Sequence, residues 1–222
     1  MYNFNYSHKT ILGELMTIEF YEALQDCQIQ DGCVVGLKYA QECRPLRLGK
    51  NARIRRGAII YADVQIGDDF QTGHHVMIRE KTVIGDHVVV GTNTVIDGHV
   101  TIGDFVKIES NCYIPTHVTI GNRVFLGPNV TLTNDRYPLK MRDSYRPEGP
   151  IIEDGVTLGA GVVVCPGVRI GADSFVAAGA VVTRDVPSRS MVMGVPGRFR
   201  PLPEKLQERN LALSWIKYLA KE

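Results

Sequence analysis

Four polar side chains interrupt a part of the sequence that is otherwise dominated by aliphatic residues and glycine. Glu109 occupies a position at which glycine stands eighteen residues earlier and eighteen residues later, and Asp97, His75 and Asn111 lie within two such intervals of it. Carboxylate and imidazole groups can hold an ammonium ion and accept its proton, and an amide can orient a bound molecule. We therefore treat these four as candidate catalytic residues, with ordinary exposed bend residues as the alternative.

A second group of polar residues opens a long break in the same pattern. It comprises Asn134, Asp135, Arg136 and Tyr137, which begin a polar segment containing three prolines. Long segments of this kind on a rigid scaffold often carry binding residues. We expect these four residues, together with Asn93, to contact a substrate, although Asn and Asp are also common turn residues. Both polar groups could converge on one cleft.

A six-residue period organises the chain around these candidates. Every sixth residue from Leu48 is Ile, Leu or Val except Thr72, and the phase breaks once. The small or β-branched residues at the fifth position, interrupted by Phe70, favour short strands. The members of the sixfold column are Leu48, Ile54, Ile60, Ile66, Thr72, Ile78, Ile84, Val90, Ile96, Ile102, Ile108, Ile114, Ile120, Leu126, Leu132, Ile152, Leu158, Val164, Ile170, Val176 and Val182.

A period of eighteen residues is superimposed on the shorter one. Glycine follows the sixfold column at Gly67 and Gly85 and recurs one step later at Gly73 and Gly91. Other residue types, such as Asp97, follow at the third step. Three strands and three bends close a triangle, so each coil should contain eighteen residues and present three faces. The pattern predicts an all-β, parallel β-helix in which residues eighteen apart stack at a rise of about 4.8 Å. The period by itself does not specify handedness.

The regions outside this repeat suggest a division into three parts. We assign residues 1–47 to an N-terminal cap and a degenerate first coil, residues 48–187 to the β-helix with an inserted loop at 133–151, and residues 188–222 to a closing segment and an α-helix. The helix is predicted over residues 203–220, where apolar residues recur at helical spacing. Its apolar face would contain Leu206, Leu211, Leu213, Trp215, Ile216 and Leu219.

Composition narrows the class of protein. A net charge of +1 gives no basic surface for nucleic acid, and no apolar run is long enough to span a membrane. The five cysteines are odd in number and lack a CxxC spacing, which favours free thiols, a cytoplasmic location and no structural metal site.

Residues 48–200 resemble the hexapeptide-repeat acyltransferases. Within that family, residues 71–75, 107–111 and 125–135 are similar to the subgroup that acylates amino sugars linked to UDP or dTDP for surface polysaccharides. The resemblance implies a left-handed parallel β-helix and a homotrimer with active sites between adjacent subunits. It also implies transfer of an acyl group, generally acetyl, from coenzyme A to the amine of the sugar.

The resemblance further implies where the acyl-CoA co-substrate lies. It would extend along the C-terminal coils, where small residues allow close approach and two arginines can meet phosphates. The implied residues are Gly159, Ala160, Ala177, Ala178, Gly179, Arg184 and Arg198. Relatives that acylate hydroxyl groups carry a histidine in the loop, and residues 133–151 contain none, which favours the amine-acylating subgroup.

Three other functions remain open at this point. The γ-type carbonic anhydrases share the fold but bind zinc through histidines, two of them five residues apart, and here Asn122 stands five residues after His117. A structural β-helix without activity would not need the inserted loop. An O-acyltransferase acting on a small hydroxylated acceptor is the third possibility.

Overall fold

The computed structural model describes residues 20–208 and 210, which wind into a prism whose three faces are parallel β-sheets. The first face consists of Tyr21–Ala23, Leu46–Leu48, Gln65–Ile66, Val83–Ile84, Thr101–Ile102, Thr119–Ile120, Ile151–Ile152 and Arg169–Ile170. The second face consists of Gln28–Ile29, Arg53–Ile54, Gln71–Thr72, Val89–Val90, Lys107–Ile108, Phe125–Leu126, Thr157–Leu158, Phe175–Val176, Ser190–Met193 and Arg198–Pro201. The third face consists of Val34–Leu37, Ile59–Tyr61, Met77–Ile78, Val95–Ile96, Tyr113–Ile114, Thr131–Leu132, Val163–Val164 and Val181–Val182. The predicted left-handed parallel β-helix is confirmed.

Strand pairing follows the eighteen-residue spacing. Val83 pairs with Thr101 in the next coil, and neighbouring coils on all three faces repeat this register. The spacing changes where the loop is inserted, because Thr119 pairs with Ile151, thirty-two residues later. The fourteen additional residues therefore leave the prism without disturbing the coils on either side.

The inward side chains form one continuous core. The aliphatic residues of the sixfold column are buried along the whole helix, from Leu48 to Val182. The two exceptions in the pattern, Phe70 and Thr72, are buried as well. The Thr72 hydroxyl accepts a hydrogen bond from the backbone N–H of Arg55 at 2.9 Å, so this polar group is satisfied inside the core.

The bends between the faces form three corners. We call the bends that follow first-, second- and third-face strands the first, second and third corner respectively. Each commonly carries a non-glycine residue in the left-handed backbone region, as at Asn93 (φ 59°), Asn111 (φ 60°) and His99 (φ 51°). Asparagine tolerates this conformation better than most residues. The column formed by Asn93, Asn111 and Asn129, eighteen residues apart, thus has a structural reason.

A ladder of acidic side chains runs along the first corner. Asp68, Asp86 and Asp104 each accept a hydrogen bond from the backbone N–H of the residue eighteen positions earlier, at 2.7–2.8 Å. Asn122 continues the ladder by accepting from the N–H of Asp104 at 2.9 Å. A Cβ at Gly85 would collide with the carboxylate of Asp104, which explains the eighteen-residue glycine column.

Both ends of the helix contain strands beyond the regular repeat. The strand Tyr21–Ala23 already pairs in parallel with Leu46–Leu48, so stacking begins before residue 48. At the other end Ser190–Met193 pairs in parallel with Phe175–Val176, and Arg198–Pro201 returns antiparallel to it. This hairpin closes the C-terminal end of the second face.

Helical structure is limited to two short 3-10 turns in the part of the chain that the structure describes, Arg142–Ser144 and Glu204–Leu206. The greater part of the α-helix predicted over residues 203–220 lies outside the described residues. Within residues 20–208 and 210, no helix has the length and apolar character needed to cross a bilayer.

Candidate active site

The candidate residues occupy two different corners of the prism. His75, Asn93, Glu109 and Asn111 lie at the second corner, and Asp97 lies at the third. Asn134 and its neighbours leave the prism at the third corner as well. The second-corner and third-corner groups of one chain are therefore separated by a face, and a single chain does not bring them together.

Glu109 lies at the second corner, at the position that Gly91 and Gly127 occupy in the neighbouring coils. Its Oε1 lies 2.6 Å from Nζ of Lys107, and about a third of its side chain is exposed. Asn93 lies in the preceding coil and donates from Nδ2 to Oδ1 of Asn111 at 3.3 Å. The second corner thus presents an ion-paired carboxylate beside two linked amides. The backbone N–H of Glu109 donates to the carbonyl of Leu126 in the next coil at 2.8 Å.

The His75 ring is turned towards the preceding coil. A Cβ built on Gly57 would collide with its Nδ1, so the imidazole lies directly over that glycine. The neighbouring His74 ring is 6.4 Å away, centroid to centroid. In this orientation His75 faces away from Asn93 and Glu109, and the structure does not bring it to the same point as the carboxylate.

Both oxygens of Asp97 are engaged at the third corner. Its Oδ1 accepts from Nη1 of Arg79 at 3.2 Å, and its Oδ2 accepts from the Tyr113 hydroxyl at 3.2 Å. Arg79 also pairs with Glu80 at 3.0 Å. Burial, followed by the negative charge and hydrogen bond of Asp97, raises the pKa of Tyr113. The Asp97 side chain is 27% exposed, close to the value for Glu109, so its contacts and not its burial distinguish it.

The base of the inserted loop is fixed by hydrogen bonds to the coils. Asn134 donates from Nδ2 to the hydroxyl of Thr116 at 2.8 Å, and Arg136 donates from Nη2 to the carbonyl of Pro166 at 2.8 Å. Asp135 accepts from the backbone N–H of Tyr137 at 2.9 Å, which is an Asx-turn. The four loop residues singled out in the sequence thus form one ordered entrance to the loop.

The inserted loop lines an open cavity of about 260 Å³. Its walls include all four of those residues. They also include five further loop residues that were not predicted from the sequence. Only the ends of the loop adjoin the six-residue repeat, so the spacing gives no position for residues inside the loop. The lining is Asn134, Asp135, Arg136, Tyr137, Met141, Ser144, Tyr145, Arg146 and Glu148.

Two histidines with tilted rings lie at the third corner, where the inserted loop returns to the coils. The ring centroids of His99 and His117 are 5.3 Å apart, and the loop backbone at Gly149 packs on the backbone of His117. Partial burial lowers the pKa of His99, and the positive charges of Lys81 and of protonated His117 lower it further. Neither histidine was among the site residues predicted from the sequence.

The second corner of the C-terminal coils is built from small residues. A Cβ at Gly159 would collide with the backbone of Ala178, whereas a Cβ at Gly179 would meet no atom within 4 Å. The expected cofactor residues Gly159, Ala160, Ala177, Ala178 and Gly179 therefore form a continuous low surface along this corner.

The two expected phosphate-binding arginines lie elsewhere on the same end. Arg184 is at the third corner, with its guanidinium 4.8 Å from the ring centroid of Phe199. Arg198 is an exposed residue of the closing hairpin.

Thiols and metal ligands are dispersed in the described part of the chain. All five cysteines lie within it and are free. No three His, Cys, Asp or Glu side chains among residues 20–208 and 210 are grouped so that they could hold a metal ion.

Comparison with known proteins places this architecture in a family. The model for the family described as bacterial transferase hexapeptide (six repeats) matches residues 63–98, 99–134 and 149–184. This chain belongs to that hexapeptide-repeat family. The interval between the second and third matches coincides with the inserted loop.

Curated relatives match only parts of the chain. A galactoside O-acetyltransferase of Lactococcus lactis is 43% identical over 77 residues, which is 33% of this chain and 37% of the relative. A 2,3,4,5-tetrahydropyridine-2,6-dicarboxylate N-acetyltransferase of Staphylococcus aureus is 45% identical over 58 residues, 26% of this chain and 24% of the relative. The chain thus spans well under half the length of these relatives.

Two solved structures of acetyltransferases are also similar to this chain. A hexapeptide-repeat acetyltransferase of Vibrio cholerae, crystallised with acetyl coenzyme A, is 30% identical with a TM-score of 0.39, covering 53% of this chain and 69% of that one. A perosamine N-acetyltransferase of Caulobacter crescentus, in complex with CoA and GDP-perosamine, is 22% identical with a TM-score of 0.36, covering 78% and 56%.

Proposed function

We propose that this chain is an acyl-CoA-dependent N-acyltransferase that acts on the amine of a UDP- or dTDP-linked amino sugar. The observation that carries the proposal is the loop cavity, which combines amide, carboxylate, guanidinium and phenol groups and contains no histidine. Such groups suit a sugar hydroxyl, an amine and a diphosphate. A cytoplasmic location and a role in surface polysaccharide synthesis are parts of the same proposal.

The reaction joins the amine nitrogen to the carbonyl carbon of a thioester. A C–N bond forms, the carbonyl oxygen becomes an oxyanion, and the C–S bond then breaks to release the thiolate of coenzyme A. The amine must be neutral to attack, and its remaining proton must reach a base or the departing sulfur. The backbone N–H of Ala178 on the small-residue surface is our candidate for the oxyanion donor, because the N–H of Gly159 already donates to the carbonyl of Val176 at 2.8 Å.

Among the candidate bases, the contacts favour Glu109. Asp97 already uses both of its oxygens, and His75 faces the preceding coil. Glu109 keeps a third of its side chain exposed beside Asn111 and lies on the same corner as the small-residue surface. We assign Glu109 the role of holding the substrate ammonium and accepting its proton, and Asn111 and Asn93 the role of orienting the substrate.

The separation of the two corners supports a homotrimer with shared sites. Glu109 belongs to the second corner and Asp135 to the third. With the third face between them, we do not expect both side chains of one chain to contact the same sugar. Packing of identical prisms side by side would place the second corner of one copy against the loop of the next. Each active site would then contain residues of two chains.

The function is tested by product analysis. The purified full-length chain is incubated with acetyl-CoA or longer acyl-CoA donors and a panel of UDP- and dTDP-linked amino sugars, and products are identified by mass spectrometry and fragmentation. We expect one acyl group on nitrogen and release of one equivalent of coenzyme A. The matched hydroxy sugars are the control, because acylation of those and not of the amines would establish the O-acyltransferase alternative instead.

A further inference from the structure

The second corner changes in chemical character along the length of the helix. Its C-terminal coils carry the small residues described above, and Glu109 lies near the middle. Towards the N-terminus the same corner carries two histidines and then two arginines, namely His74, His75, Arg55 and Arg56. The chemistry proposed at Glu109 does not use these four residues. We call them the basic end of the second corner.

The two arginines are held by backbone groups of the coils on either side. Arg55 donates from Nη1 to the carbonyl oxygen of Thr72 in the next coil. Arg56 donates from Nε to the carbonyl oxygen of Asp31 in the preceding coil at 3.2 Å. Its aliphatic stem passes over Gly32, where an added Cβ would meet Cγ of Arg56 at 3.8 Å. A guanidinium has five N–H donors, so both groups are positioned and still have donors for an anion.

His75 is turned towards these arginines and away from Glu109. Its Nδ1 lies over Gly57, the residue that follows Arg56, and its backbone N–H donates to the carbonyl of Arg56 at 3.1 Å. His74 is exposed beside it, with the ring centroids 6.4 Å apart. An imidazole carries an N–H donor in its neutral form as well as in its charged form. The orientation that argues against His75 as the base therefore adds a donor to the two guanidinium groups.

Positive charge outweighs negative charge at this end of the corner. Arg53 lies on the adjoining strand of the second face and is exposed, and Asp31 is the acidic neighbour in the preceding coil. Three arginines, Arg53, Arg55 and Arg56, against one aspartate give these four residues a net charge of +2. Arginine recognises phosphate oxygens through paired N–H donors, so a cluster of this kind suits a diphosphate.

The spacing along the corner fits the length of a nucleotide-linked sugar. His75 lies two coils before Glu109 and Arg55 lies three coils before it, which is about 10 and 14 Å at a rise of about 4.8 Å per coil. A few bonds of about 1.5 Å separate an amine on the sugar from the nearest phosphorus, so the two phosphates would lie roughly 6 to 9 Å from the amine. The remaining distance is within the reach of an arginine side chain.

We propose that the basic end of the second corner binds the diphosphate of the nucleotide-linked amino sugar. Arg55 and Arg56 would pair with the phosphate oxygens, and His75 would donate a further hydrogen bond. The amine would then lie at Glu109, and coenzyme A would approach from the opposite direction, along the C-terminal coils. This inference rests on the proposed function and adds to it the position and direction of the nucleotide.

Binding of UDP and dTDP, each without a sugar, tests this site apart from catalysis. We expect the unaltered protein to bind one of them in isothermal titration calorimetry. Arg55→Gln, Arg56→Gln and His75→Asn, of which the last suits a φ of 55°, should each weaken that binding by about tenfold, because each removes a donor to a charged phosphate. The matched control is Lys50→Gln, which removes an exposed positive charge at the same bend position on the first corner of the same coil and should bind normally.

The possible outcomes separate the site from the proposed function. Unaltered nucleotide affinity in all three variants would overturn the proposal and leave the function standing. Weaker binding in Arg136→Gln, with Arg56→Gln unaffected, would place the diphosphate at the inserted loop and would also overturn it. Binding of neither nucleotide by the unaltered protein would count against the proposed function and this site together. Steady-state kinetics should agree, with a raised KM for the sugar nucleotide and an unchanged KM for acyl-CoA in Arg56→Gln.

Discussion

Glu109 and Asp97 differ in the surroundings of their carboxylates. Asp97 accepts from Arg79 and Tyr113 on its two oxygens, whereas Glu109 pairs with Lys107 through Oε1 at a corner of small residues. A group that holds and deprotonates a substrate must keep an accessible lone pair. At the residue scale this distinction is the reason why we propose Glu109 as the base.

We expect Glu109→Gln to lower kcat by about a hundredfold or more, because the amide cannot accept the proton. Steady-state kinetics with the amino-sugar product as readout measures this. The control is Glu153→Gln, which removes an ion-paired carboxylate at the first corner (Arg169, 2.8 Å) and should retain activity. Near-normal turnover in Glu109→Gln would remove this residue from the mechanism.

His99 makes stability depend on pH. Because its pKa in the folded state lies below the ordinary value of 6.5, the folded protein binds fewer protons at this site than the unfolded chain. The contribution of His99 to stability is therefore complete above pH 6.5 and is lost as pH falls through the folded pKa. We expect His99→Asn, which suits φ 51°, to flatten the decline of the thermal midpoint between about pH 7 and pH 5. A variant with the unaltered pH profile would contradict this.

At the scale of the element, each coil depends on the next through side chains as well as strands. The acidic ladder of the first corner satisfies one backbone N–H per coil, and glycine precedes each acid because no Cβ fits beside the carboxylate. The ladder continues past the inserted loop. The Asn122 side chain accepts from the backbone N–H of Asp104, and the backbone N–H of Asn122 donates to the Asp154 carboxylate at 2.7 Å.

We expect Asp104→Ala to lower the free energy of unfolding by about 1 kcal/mol, since the N–H of Asp86 loses its acceptor. Asp104→Asn should be nearly neutral, because Asn122 shows that an amide oxygen serves in this position. Urea denaturation at one fixed protein concentration compares the two variants. Equal losses for both would mean that charge, and not the hydrogen bond, is what the ladder supplies.

At the scale of the whole molecule, the positions of the candidate groups have a consequence for assembly. The second corner with Glu109 and the third corner with Asn134 lie on opposite sides of the third face of one chain. If neighbouring copies share each site, a defect at one corner can be compensated by an intact corner on another chain.

We therefore expect complementation between two inactive variants. Glu109→Gln and Asn134→Ala subunits, each nearly inactive alone, should regain part of the activity after co-expression, because mixed assemblies contain sites with both residues intact. Tagged subunits purified in tandem provide the measurement. Assemblies that are shown to be mixed but remain inactive would place both residues in the site of a single chain.

The sequence by itself determined the repeat, the three faces and the position of the loop. Those features depend on a local pattern in which one residue in six must be aliphatic, and such a pattern can be read without knowing any contact. The candidate residues at the loop base, Asn134 to Tyr137, could be predicted for the same reason, because they mark the point where the pattern stops.

Only the tertiary structure decided what each polar side chain touches. Stacking eighteen residues apart sets Arg79 and Tyr113 on either side of Asp97, turns His75 onto Gly57, and brings Tyr145 and Glu148 into the cavity. A period specifies which corner a residue occupies, but rotamers and the path of a loop without a period depend on neighbours that are distant in sequence. For that physical reason the fold of this chain follows from its sequence, and the contacts of its candidate site do not.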